Sequence, residues 1–83
     1  MWPFAIAAVD KRAAPEKRLG LAIRAKREAL GLSQEGLSFE SGLHRTYIGA
    51  VERGEKNLTL RNAIRISESL GCKASDILAA AGL

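Results

Sequence analysis

The chain has 83 residues, of which 47% are hydrophobic and 27% charged, a balance that excludes wholesale disorder and fits one small domain. A single Cys and a single His exclude an intramolecular disulfide and a Cys/His metal cluster, and they leave no nucleophile paired with a base, so neither an enzyme nor a cofactor is expected. The net charge of +4 favours an anionic partner such as nucleic acid.

Residues 1 to 15 hold Trp2, Pro3, Phe4, Lys11, Arg12 and Pro15 without sustained periodicity, and are expected to form a flexible N-terminal extension to a domain over 16–83. The apolar run Met1 to Val9 is too short to span a bilayer and lacks the pattern of a secretory signal, so a cytoplasmic protein with no membrane partner is expected.

A first helix is predicted from Glu16, with Leu19, Ile23 and Leu30 marking its apolar face and Gly31 its end. Ser33 offers a cap to a second helix running to about Ser41, which Gly36 interrupts. Gly42 and an inward Leu43 form the corner before a third helix over His44 to Arg53, whose Ile48 and Val51 share one buried side. Thr59 caps a fourth helix with the apolar set Leu60, Ala63, Ile64, Ile66 and Leu70, stopped by Gly71. Ser75 caps a fifth carrying Ile77 and Leu78. Five helices and no strand make an all-α fold.

Two helices joined by so short a turn cross steeply, burying their inner faces and freeing the outer side of the second to enter a major groove. Bulk charge does not serve this element, because residues 1 to 32 carry +4 whereas residues 33 to 54 come to −1. Reading must therefore depend on particular side chains. Arg45 is the first candidate, its guanidinium fork matching guanine O6 and N7. Thr46 offers a hydroxyl or a methyl; Tyr47 reaches a base edge or a phosphate, or covers the edge of the core. His44 caps the helix or contacts phosphate. Small Gly49 and Ala50 allow close approach to the duplex.

Leu32-Ser33-Gln34-Glu35, Gly42-Leu43, Tyr47-Ile48 and Val51-Glu52-Arg53-Gly54 together resemble the Cro and phage-repressor type (XRE) of helix-turn-helix family over roughly residues 18 to 80. His44 to Ile48, Glu52-Arg53 and Asn57-Leu58-Thr59 are most similar to controller proteins of restriction-modification systems. The resemblance implies a five-helix, lambda-repressor-like DNA-binding domain that is a homodimer on a palindromic operator and regulates transcription. It further implies that Gln34 anchors a phosphate and that Arg27 and Glu52 form a structural ion pair. Ser33, Arg53, Lys56 and Asn57 are further DNA-binding candidates, Leu58, Leu60, Ile77 and Leu78 candidates for the dimer seam, and RNA polymerase a candidate partner. Phe39 and Gly49 depart from the family, which usually has a solvated residue at the first and Ser at the second. The rival expectation is an antitoxin or adaptor that binds protein with the same scaffold.

Overall fold

The computed structural model describes residues 10–83, so Trp2 and Phe4, and with them most of the expected extension, lie outside the described residues. Five helices follow in order: α1 (Pro15–Ala29), α2 (Gln34–Ser41), α3 (Arg45–Glu52), α4 (Leu60–Ser69) and α5 (Ala74–Ala80). Among the described residues there is no strand.

α1 starts on Pro15, which belongs to the helix rather than to the extension before it. At this first position the missing proline N–H costs nothing, because it would have had no intrahelical acceptor. Leu30 lies just past the last turn and is exposed, so the buried face of α1 is Ala22 and Ile23, flanked by the half-buried Leu19. Gly20 is where α1 meets α3. A Cβ there would lie 2.3 Å from the Val51 carbonyl oxygen, so only glycine permits this approach.

The Ser33 hydroxyl accepts from the Gly36 N–H at 2.9 Å, which places Gly36 in the capped first turn of α2 rather than in its middle. α2 ends on Gly42 at φ 74°, a left-handed conformation that reverses the chain within three residues. The Thr59 hydroxyl caps α4 by accepting from the Asn62 N–H at 3.1 Å. α5 begins earlier than Ser75 predicts: Lys73 is its cap, and the Asp76 carboxylate accepts from the Lys73 N–H at 2.9 Å, while Ser75 lies inside the first turn. An acidic side chain three residues into a helix satisfies the cap amide as a hydroxyl at the cap would satisfy one further on.

The core joins Ile23, Leu37, Ile48, Val51, Ile66, Leu70 and Ile77, with Ala22 and Ala81 filling the closest approaches. Leu60 and Ile64, expected within it, are 73% and 42% exposed. The buried side of α4 is instead Ile66, Ser67 and Leu70. α1 packs on α3 and α5, α2 on α3 and α4, and α4 on α5. Arg18 of α1 closes the domain by donating from Nε to the Ala81 carbonyl at 3.1 Å and from Nη2 to the Gly82 carbonyl at 2.7 Å. These carbonyls follow the last turn of α5 and have no helical partner of their own.

Candidate nucleic-acid interface

The turn between α2 and α3 is held by side chains as well as by Gly42. The Ser38 hydroxyl donates to the Leu43 carbonyl, and the Ser41 hydroxyl accepts from the Leu43 N–H at 3.2 Å. Leu43 itself is half-buried against the core. His44 caps α3: its Nδ1 accepts from the Thr46 N–H at 3.1 Å. The next two side chains, Arg45 and Thr46, are exposed.

The other end of α3 is fixed from below. Arg27 donates from Nε to one Glu52 oxygen at 2.7 Å and from Nη2 to the other at 2.9 Å, and both residues are buried. Its Nη1 donates to the Leu32 carbonyl at 2.8 Å, tying the α1–α2 corner to the same cation. The hydrogen-bonded carboxylate pushes the Arg27 guanidinium further up from its already high ordinary pKa. Gln34 completes the cluster by donating to Glu52 at 3.0 Å. One amide N–H of Gln34 is thus committed within the protein and one remains.

Tyr47 is half-buried against the core, and its hydroxyl accepts from the Asn62 amide at 3.1 Å. Its ring covers the core edge, the alternative left open by sequence, while its hydroxyl proton remains available to an acceptor. Ala50 is buried at 6% exposure and faces the core rather than a groove. Gly49 is covered by the ends of Gln34 and Arg53.

Arg45, Thr46, Gly49 and Arg53 follow the three- and four-residue spacings of one helical face, and with Gln34 they line a recess of about 330 Å³. Arg53 pairs with Glu55, donating from Nε at 3.0 Å and from Nη2 at 3.2 Å. Arg53 in turn holds the Glu55 carboxyl below the usual glutamate range, with Lys17 and Lys56 contributing at longer range. Lys56 and Asn57 are exposed in the loop before α4, and Ser33 is exposed with its oxygen engaged as the cap of α2.

Of the residues predicted for a dimer seam, Leu60 and Leu78 are exposed and Leu58 is half-buried. Ile77 is a correction: at 3% exposure its side chain is in the domain's own core and is not available to a second subunit. Phe39 stands 86% exposed on α2. Cys72 is half-buried, and burial pushes its thiol up, which lowers its reactivity. Among the described residues no group of His, Cys, Asp or Glu could hold a metal ion, and no helix is long and apolar enough to cross a membrane.

Two residues of this surface went unremarked in the sequence. Glu55 carried a signal, an acid two positions after Arg53 in a tight turn. Asn62 carried none, because its meeting with Tyr47 depends on how α4 docks.

A family described as helix-turn-helix matches residues 23–77. The chain is 51% identical over 47 residues to the control protein C.BamHI of Bacillus amyloliquefaciens, a match spanning 57% of this chain and 58% of that protein. The fold superposes with a TM-score of 0.76 on the restriction-modification controller protein C.AhdI from Aeromonas hydrophila, at 40% identity, covering 78% of this chain and 98% of that one. It also superposes, with a TM-score of 0.73 at 28% identity, on the controller protein C.Esp1396I solved as a tetramer in complex with its natural 35 base-pair operator, covering 81% of this chain and 92% of that one.

Proposed function

This chain belongs to the helix-turn-helix family of DNA-binding transcriptional regulators, and from that membership we propose that it is a controller protein of a restriction-modification system, acting in the cytoplasm as a dimer on a pseudo-palindromic operator. One observation carries the reading. The leading end of α3 presents Arg45 and Thr46 to solvent, while its trailing end is locked by the buried Arg27–Glu52 pair. A helix so held offers donors at a fixed orientation, which base-edge hydrogen bonding requires.

In this reading Arg45 donates to a guanine edge and Thr46 to the neighbouring base. The free amide N–H of Gln34, the Ser33 hydroxyl, Lys56 and Asn57 contact phosphates and set the register, because such contacts position without reading sequence. Tyr47 donates its hydroxyl proton to a base edge or phosphate. Leu60 and Leu78, apolar and exposed, supply the seam between subunits, with Leu58 at its margin. Two-fold symmetry then spaces the recognition helices about 34 Å apart, one turn of B-DNA.

Selection of bound sequences from a random DNA pool tests the proposal. A palindromic consensus is the expected result. Binding across salt concentrations then separates DNA from protein recognition: neutralising Z phosphates makes log affinity fall with log salt at a slope of about −0.9Z, and a flat response with no consensus supports the protein-binding rival.

A further inference from the structure

Position 49 lies on the same helical face as Arg45, Thr46 and Arg53, yet it is glycine and offers nothing to a groove. The space is not left open. Arg53 Nη1 lies 3.1 Å from where a Gly49 Cβ would stand, so any side chain there would push the guanidinium aside. Glu55 holds that guanidinium from its far edge, taking Nε and Nη2 and leaving Nη1 over Gly49 beside the Gln34 side-chain oxygen. The pair is exposed, at 57% for each side chain, and carries no net charge.

From this geometry we propose that Glu55 is a specificity-determining residue, one that holds Arg53 across Gly49 so that its Nη1 amino group reads a base-edge acceptor, a guanine O6 or a purine N7. The proposal rests on α3 being the groove-entering helix. Glu55 has two consequences there. It fixes where the donor points, replacing the side chain that position 49 lacks. It also cancels the cation, so that Arg53 is a poor phosphate ligand and adds little to binding of any sequence at random. A free Arg53 is a mobile cation on the duplex-facing side, able to reach phosphates in any register.

The test measures binding of the full chain to its selected operator and to a scrambled duplex of equal length, over a range of salt concentrations. Glu55→Gln is expected to raise affinity for the scrambled duplex and to steepen its log–log salt slope by about 0.9, the increment for one more neutralised phosphate. The preference for operator over scrambled DNA is expected to fall roughly threefold, the scale of one surface ion pair. In an Arg53→Ala background Glu55→Gln is expected to leave that preference unchanged, because the residue acts through Arg53. Gly49→Ala is expected to reduce the preference while raising the melting temperature, since alanine is the better helix former. A preference unmoved by Glu55→Gln, or one that falls as far without Arg53, overturns the assignment while leaving the regulator reading intact. A native chain that does not distinguish operator from scrambled DNA overturns both.

Discussion

The two ends of α3 are built on opposite principles. At the trailing end Glu52 is buried and accepts from Arg27 twice and from Gln34 once, and the Val51 carbonyl lies against Gly20 with no room for a methyl group. At the leading end Arg45 and Thr46 are exposed, and a single imidazole cap holds the first turn. The contrast separates stability from recognition along a helix of eight residues. Substitution at the buried Glu52 should unfold the protein, and at the exposed Arg45 should change what it binds.

The largest effect should come from Glu52→Ala, which strands the Arg27 guanidinium in the interior. Denaturant unfolding should show a loss of about 3–5 kcal/mol, the cost of removing one partner of a buried pair. Gly20→Ala should follow, costing up to about 3 kcal/mol as α1 is pushed off α3, read as a fall in melting temperature. At the leading end Arg45→Ala should leave the unfolding midpoint nearly unchanged, yet weaken operator binding by about 1–3 kcal/mol and relax preference at one base pair. Equal loss on cognate and random duplexes would place Arg45 on the backbone instead. The smallest effect lies where the two regimes meet. The Glu55 carboxyl, depressed by Arg53, should titrate by NMR below the ordinary glutamate range and move back up in Arg53→Ala. The ion pair therefore persists as pH falls through the ordinary glutamate range and is lost only below it, where the carboxyl takes up its proton.

Much of the frame was legible because it is written in local chemistry. Ser33 and Thr59 sit as hydroxyl caps, and Gly31, Gly42 and Gly71 adopt positive φ beside the helix ends they were expected to mark. Misreadings arose where tertiary packing chose among apolar residues. The apolar set of α4 spans a wider arc than one packing face accepts, so Leu60 and Ile64 fall outside, while on α5 the docked face takes Ile77 and leaves Leu78 exposed. The candidate interface was legible in its helix and in the exposure of Arg45 and Thr46. Tyr47 with Asn62 was not, because side-chain reach across elements is fixed only by docking; Arg53 with Glu55 was signalled by their spacing, but not the placing of Arg53 over Gly49.

The order in which the helices touch has a further consequence. α1 meets α3, α3 meets α2, α2 meets α4, α4 meets α5, and α5 returns to α1 through Arg18. The pairings form a closed ring, in which no helix is a terminus that can peel away at the expense of one neighbour alone. Opening any one link exposes the faces of two helices at once, so amide hydrogens in α1 and α5 should exchange with solvent together with those of α3, in a single concerted opening rather than by fraying inward from the ends.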